Sequence, residues 1–180
     1  MTFADYGAAV DALAQRRDAL DRVLGEVAPE SPWAETIARL RCFRGIDTLA
    51  AIGLCAEVGD FARFAKPNQL AGFLGLVPSE RTSDERRRQG AITKAGPEHS
   101  RRLLVEAAKH VWRRPAVSEE LRRRQDGQDP RVCQLAWRAQ ERLQHQWQKL
   151  VVRRGKPANV ATVACARELS AFLWEAALLD

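Results

Sequence analysis

The sequence predicts an essentially all-α fold, and three observations support that prediction. Apolar residues recur at spacings of three and four along most of the 180-residue chain, which is typical of helices that bury one face. Prolines and capping residues mark repeated helix starts, as at Asp129-Pro130. No stretch shows the apolar–polar alternation of a half-buried strand. Because 46% of the residues are hydrophobic, the chain can bury a substantial core.

Residues 1–32 are expected to form an N-terminal helical arm. An apolar stripe predicts one helix over residues 5–27, with Arg17 at the one position of the stripe that should be apolar. The stripe consists of Val10, Leu13, Leu20, Leu24 and Val27. A stripe of this length is typical either of one side of a helical hairpin or of a short coiled coil.

Residues 33–180 are expected to form one compact helical domain. Helices are predicted over residues 33–42, 48–58, 67–73, 97–113 and 130–152, with a short helix after Ser118 and a last helix capped by Asn159. The turn at Gly45-Ile46 joins the first two, with Ser31 and Asp47 as their expected caps. This pattern is typical of a helix-hairpin-helix segment that contacts phosphate through backbone N–H groups, and equally of a plain packing hairpin.

The central segment runs from Gly75 to Gly96 and reads GLVPSERTSDERRRQGAITKAG. Pro78 and the glycines predict an ordered loop between helices. The loop places three hydroxyl residues beside five basic ones: Ser79, Thr82 and Ser83 with Arg81, Arg86, Arg87, Arg88 and Lys94. A hydroxyl nucleophile among guanidinium groups suits phosphodiester chemistry, because the cations orient a phosphate and offset its developing charge. The alternative is a solvated basic loop whose hydroxyl residues have no such role.

Two helices after the central segment carry residues that could contact nucleic acid. Arg101 and Arg102 lie in the first turns of the helix that follows the central segment, so an anion held there would interact with both the helix dipole and these arginines. Trp137 and Trp147 lie on a basic helix, where they either stack on bases or, more commonly, belong to the core.

Charge and cysteine content narrow the functional classes. The net charge of +6 and the pI near 9.6 indicate a polyanionic partner, and an arginine-rich basic set favours nucleic acid. The four cysteines are widely spaced and indicate core residues in a reducing compartment, without a zinc motif or disulfide framework. A signal peptide and membrane-length apolar runs are both lacking, so we expect a cytoplasmic, bacterial location with no membrane partner.

Several of these segments together resemble a known family. The motifs are GLVPSE, a hydroxyl pair, RRRQG and ITKAG, preceded by GIDTLAAIGLCAEVGDFARF and followed by SRRLLVEAAKHVWRRP. They resemble the C-terminal transposase domain of the bridge-RNA-guided insertion-sequence transposases of the IS110/IS116 group. The likeness runs from about Asp11 to the C-terminus.

The resemblance implies specific chemistry. In the family the second hydroxyl residue of a Ser-Ser-Gly-like triplet is the nucleophile, which implies Ser83 here, although Asp84 replaces the glycine. Family members also carry an upstream resolvase-like domain whose Asp-Glu-Asp-Asp carboxylates bind Mg²⁺. We expect that domain to be lacking, so that this chain itself binds no cofactor. The resemblance further implies DNA, a guide (bridge) RNA and a second copy of the chain, paired through the N-terminal helix, as partners.

These arguments lead to a prediction of DNA binding and DNA transposition by serine-nucleophile strand cleavage and transfer. We expect the chain to be a truncated transposase, inactive without the metal-binding domain. The nucleic-acid contacts are predicted at Arg81, Arg86, Arg87, Arg88, Lys94, Arg101, Arg102, Gly45 and Ile46. One alternative is a non-catalytic DNA- or RNA-binding remnant that regulates a full-length transposase. Another is a helical interaction protein whose charge only keeps it in solution.

Overall fold

The computed structural model describes residues 2–83 and 86–179, with the side chains of these residues except at 80–89. Within those ranges it contains eight α-helices and one two-stranded antiparallel sheet, so the predominantly α-helical fold is confirmed. The elements are α1 (Phe3–Val27), α2 (Ala34–Leu40), α3 (Thr48–Val58), α4 (Pro67–Phe73), β1 (Pro78–Ser83), β2 (Arg86–Ile92), α5 (Glu98–Ala108), α6 (Glu119–Gln125), α7 (Pro130–Gln148) and α8 (Ala158–Ala177). One π-helical turn, Lys149–Arg153, extends α7.

The C-terminal helix α8 is the centre of the domain. It packs against α2, α4, α5 and α7, and its buried face carries small residues beside leucines. Cys165 and Ala166 are fully buried and let the neighbouring helices approach, while Leu169 and Leu173 fill the space between them. Trp174 extends this packing, since its Nε1 donates to the Phe64 carbonyl at 3.0 Å.

Three predicted helix starts have the expected caps. The Asp47 side chain accepts a hydrogen bond from the Ala50 N–H at 2.7 Å, and Ser118 accepts one from Leu121 at 3.2 Å. The Asp129 carboxylate likewise accepts from the Arg131 N–H at 2.7 Å. Each cap satisfies an N–H group that has no partner within its own helix.

Other helix boundaries differ from the sequence prediction. The Ser31 hydroxyl donates to the Ala28 carbonyl instead of capping α2, which begins only at Ala34. Asn159 lies inside the first turn of α8, whose cap position is Pro157. Helix α5 ends at Ala108, several residues before the expected end, because the chain turns there towards α6.

The turn between α2 and α3 is tightly packed against α5. Gly45 has φ +85°, and a Cβ at this position would lie 2.8 Å from the Ala107 carbonyl oxygen, so only glycine fits. Ile46 is fully buried, and its N–H donates to the Phe43 carbonyl at 3.1 Å. These contacts explain the Gly-Ile sequence through packing, whereas phosphate binding at Gly45 and Ile46 stays a prediction.

Helix α1 lies along the surface of the domain and has no buried residue. The side chains of its apolar stripe are exposed, for example 68% at Leu13 and 56% at Leu20. The helix contacts α3 and the short turn at Ala28–Glu30. The stripe is therefore available to another helix.

The central segment, predicted as a loop, is a β-hairpin, and this part of the prediction was wrong. Strands β1 and β2 pair only with each other. No residue between Ser79 and Gly90 is apolar, so the hairpin shows no alternation from which strands could be predicted. The pairing of the two backbones defines this element.

Among the described residues, no helix combines the length and the hydropathy that are needed to cross a membrane.

Candidate nucleic-acid interface

The hairpin brings the predicted hydroxyl and basic residues together along the backbone. In the register of the two strands Ser83 pairs with Arg86, Thr82 with Arg87 and Arg81 with Arg88. Residues directly opposite each other in an antiparallel pair are about 4.5–5.5 Å apart at Cα. The side chains of these six residues lie outside the described part of the structure, as does all of Asp84, so their predicted contacts stay predictions.

A bulge interrupts the pairing near the base of the hairpin. The register shifts between Pro78 and Glu80, and the Ser79 hydroxyl donates to the Ala91 carbonyl at 3.0 Å. Of the three hydroxyl residues, Ser79 therefore has a structural hydrogen bond. Bulges increase the local twist of a strand pair.

Two glycines form the neck through which the chain enters and leaves the hairpin. Gly75 and Gly96 both have positive φ, +66° and +83°. A Cβ on Gly75 would lie 2.1 Å from the Ala95 carbonyl oxygen, and one on Gly96 would lie 1.8 Å from that of Phe73. The Lys94 N–H also donates to the Gly75 carbonyl at 3.1 Å. The two chain segments therefore cross at a distance that no side chain permits.

Arg101 supports this neck from α5. One guanidinium nitrogen, Nη1, donates to the Leu74 carbonyl at 3.1 Å and to the Ala95 carbonyl at 3.3 Å. The two carbonyls belong to the entering and leaving segments, so Arg101 joins both to α5. Lys94, which belongs to the leaving segment, is exposed and has φ +55°, and Arg102 is exposed on α5. Of the two predicted arginines of α5, Arg101 therefore has a structural role at the neck.

The N-terminus of α5 is occupied by an acidic side chain that sequence analysis missed. The Glu57 Oε2 accepts hydrogen bonds from the Ser100 N–H at 2.9 Å and from the buried Ser100 hydroxyl. The His99 Nδ1 lies 3.4 Å from Oε1 of the same carboxylate. The Glu57 carboxylate is therefore an anion that already interacts with this helix end, and nucleic-acid contacts of Arg101 and Arg102 stay predictions.

These contacts shift the ionisation of Glu57. Burial alone would raise the pKa of its carboxyl, but the hydrogen bonds from Ser100 and the nearby His99 outweigh burial and hold the pKa below its ordinary value. The ionised carboxylate joins the end of α3 to the start of α5, next to the hairpin neck. No local sequence pattern predicts this link, because Glu57 and Ser100 are 43 positions apart.

Among the described residues, no three His, Cys, Asp or Glu side chains come together to hold a metal ion. The residues that are described therefore do not fit a magnesium site. The two tryptophans of α7 differ in exposure. Trp147 packs against the core, whereas Trp137 is 40% exposed.

Residues 37–123 match the family model described as the transposase IS116/IS110/IS902 family. This range extends from α2 into α6 and includes the whole hairpin and its neck.

Individual relatives carry the same kind of name. The chain is 39% identical over 158 residues to a protein of Sinorhizobium fredii named "Putative transposase y4qE", covering 88% of this chain and 40% of the relative. It is 33% identical over 163 residues to the transposase for insertion sequence element IS1533 of Leptospira borgpetersenii, covering 86% of this chain and 45% of the relative. It is also 33% identical over 79 residues to the transposase for insertion sequence element IS1111A of Coxiella burnetii, covering 44% of this chain and 22% of the relative.

The chain therefore spans less than half the length of these curated relatives. All three are named as transposases, in agreement with the resemblance seen in the motifs around the hairpin. Over residues 37–123 this chain carries a domain of the IS116/IS110/IS902 transposase family.

Proposed function

We propose that this chain binds DNA through the hairpin and supplies Ser83 as the nucleophile for strand cleavage and transfer in transposition. The observation that carries the proposal is the pairing of Ser83 with Arg86 in a hairpin fixed to the domain by the Gly75–Gly96 neck. Catalysis of this kind needs the nucleophile and the phosphate held in a fixed relation. A paired hairpin on a rigid neck supplies such a relation better than an unstructured basic loop does.

The proposed chemical step is a phosphoryl transfer to serine. The Ser83 oxygen attacks a backbone phosphorus and forms a P–O bond, while the bond from phosphorus to one DNA oxygen breaks. That oxygen leaves with the electron pair and takes up a proton, and the hydroxyl proton of Ser83 passes to a base. A serine hydroxyl is a weak nucleophile without such a base. We propose that the base and the Mg²⁺-binding carboxylates come from the resolvase-like domain, with a guide RNA as a further partner.

The test of the nucleophile is covalent capture of DNA. The chain, supplied with the upstream domain and guide RNA of a related full-length transposase, should form a protein–DNA adduct on an insertion-sequence end, seen on a denaturing gel. Ser83→Ala should abolish the adduct and leave DNA binding within about twofold, because a hydroxyl contributes little to backbone affinity compared with a cation.

The matched control is Thr82→Ala, which removes the neighbouring hydroxyl on the same strand. This variant should retain the adduct. An adduct that persists in Ser83→Ala, or one that is lost equally in both variants, would remove Ser83 from its proposed role. The chain alone, incubated with Mg²⁺ and the same DNA, should form no adduct.

A second candidate function is non-catalytic nucleic-acid binding that competes with or assists a full-length transposase. Asp84 favours it, because a carboxylate beside the nucleophile repels the phosphate that the nucleophile must approach. Asp84→Gly distinguishes the two candidates. A catalytic chain forms the adduct with Asp84 in place and forms more of it in Asp84→Gly, whereas a chain that only binds nucleic acid forms no adduct with either residue.

A further inference from the structure

A basic groove lies at the end of α5 away from the hairpin. It is lined by Arg44 from the turn between α2 and α3, by His110 and Arg113 after α5, and by Arg124 from α6. Its volume is about 290 Å³, which is roughly ten times that of one water molecule. None of the residues that line it is acidic. Three parts of the fold thus contribute three arginines and a histidine to one concave surface.

The arginines of this groove lack counter-charges. Within the described part of the chain, Arg44, Arg113 and Arg124 form no ion pair, although many other arginines of the domain do. Burial and the nearby Arg113 lower the pKa of Arg44, so the two guanidinium groups repel each other. An anion bound between them would offset this repulsion.

Two of these guanidinium groups are held in place by backbone carbonyls. Arg44 Nη1 donates to the Arg114 carbonyl at 3.0 Å, and Arg124 Nη1 donates to the Ile46 carbonyl. Each bond uses one part of the planar fork and fixes the direction of the rest. The side chains are therefore oriented before any ligand binds, which reduces the entropy lost on binding.

A small cavity next to the groove contains a buried donor without a hydrogen-bond partner among the described residues. Gln140 is 7% exposed and lines a cavity that shares Arg44 and His110 with the groove. Its Oε1 accepts from the Ala116 N–H at 3.1 Å, which directs the amide NH₂ away from that bond. The Gln140 Nε2 is buried and has no hydrogen-bond partner among the described residues, and the same holds for the Arg124 Nε. Unpaired buried donors are costly, and a ligand oxygen would satisfy them.

We propose that this groove binds a phosphate group of a nucleic-acid backbone. The cations match the charge of a phosphodiester, and the planar guanidinium groups match the geometry of its oxygens. The site is separate from the hairpin, because α5 has 11 residues and spans about 16 Å between the two. The inference extends the proposed function, since it gives the domain a second contact with the same class of ligand.

The experiment compares two arginine variants of the full chain. Arg113 is exposed, so Arg113→Gln should leave the fold intact. The control is Arg122→Gln, which removes the same charge at an exposed position of α6 that does not line the groove. A fluorescein-labelled DNA duplex is titrated at several salt concentrations. Arg113→Gln should flatten the plot of log affinity against log salt by about 0.9, the value for one phosphate contact. Arg122→Gln should leave the slope unchanged.

A second pair of variants tests the buried amide. Gln140→Glu keeps the acceptor for the Ala116 N–H but adds a negative charge that pairs with the arginines and repels phosphate. Its duplex affinity should fall more than tenfold below that of Gln148→Glu, which adds the same charge at an exposed position of α7. Circular dichroism confirms that each variant is folded.

Inorganic phosphate, compared with chloride at equal ionic strength, distinguishes the source of the phosphate. If phosphate raises the melting temperature of the wild type but not of Arg113→Gln, and the duplex slope is the same in both, the site binds free phosphate and the nucleic-acid proposal is overturned. Equal slopes and equal melting temperatures for Arg113→Gln and Arg122→Gln overturn the groove altogether. A wild-type chain that binds no duplex refutes the proposed function instead, while the phosphate comparison still tests the groove.

Discussion

The carboxylate of Glu57 joins the end of α3 to the start of α5, next to the hairpin neck. It accepts two hydrogen bonds from Ser100 and lies beside His99, and the Glu57 side chain is 29% exposed. Its pKa is lowered, so the ionised form stabilises the fold. That stabilisation is complete above the ordinary pKa near 4.5 and is lost as the pH falls through the lower pKa of the folded state.

We predict that Glu57→Gln lowers the free energy of unfolding by about 1–2 kcal/mol at pH 7, because charged hydrogen bonds are replaced by neutral ones. Urea unfolding measures the difference, which should shrink as the pH is lowered below about 4. The control is Glu106→Gln on α5, whose partner Lys109 is 54% exposed. Removing an exposed pair should cost less than about 0.5 kcal/mol. Equal losses in the two variants would contradict the role assigned to Glu57.

The hairpin neck depends on glycine at a point where two segments cross. We predict that Gly96→Ala destabilises the domain by about 3 kcal/mol or more, because positive φ and a clash with the Phe73 carbonyl both contribute. Gly155→Ala is the matched control, since Gly155 has φ +60° but no heavy atom within 4 Å of an added Cβ. It should cost only about 1–2 kcal/mol. Thermal unfolding of both variants measures the contribution of the clash.

Helix α1 is the element through which we propose that two copies pair. Leu13 and Leu20 are exposed, and Arg17 interrupts the stripe between them. We predict that Arg17→Leu strengthens self-association about tenfold or more, because it completes the apolar seam of a coiled coil. Leu13→Lys should abolish association, whereas Ala12→Lys, one position away and off the seam, should not. Sedimentation equilibrium measures each, and a monomer in every case would exclude α1 as an interface.

At the scale of the whole molecule, the net charge of +6 makes DNA affinity sensitive to salt. If about three to five phosphates are contacted, log affinity should fall against log salt with a slope of about −3 to −4.5. Replacing Arg86, Arg87 and Arg88 together by alanine should flatten the slope by up to about three units. Helicity, followed by circular dichroism, should not change. A wild-type slope near zero would contradict nucleic-acid binding.

Much of the helical architecture could be predicted because its signals are local. Asp47, Ser118 and Asp129 cap the helices that follow them, and the bounds of α3 and α4 agree with the predicted ranges. A cap or an apolar stripe acts within one or two turns of chain, so its effect can be predicted from neighbouring residues.

The site itself depended on contacts between distant residues, which leave no local pattern. Strand pairing turned a polar segment into a hairpin, and Arg101 supports its neck through two carbonyls that its own sequence neighbourhood does not identify. Glu57 reaches Ser100 because α3 packs against α5, and Arg44 meets Arg113 and Arg124 because the turn before α3, the segment after α5 and helix α6 line one groove. The composition determined that the protein is basic, and the spacing of its apolar residues determined that it is mainly helical. Helix packing determined which cations support the fold and which ones face a groove, since the burial of each charge depends on neighbours far away in the sequence.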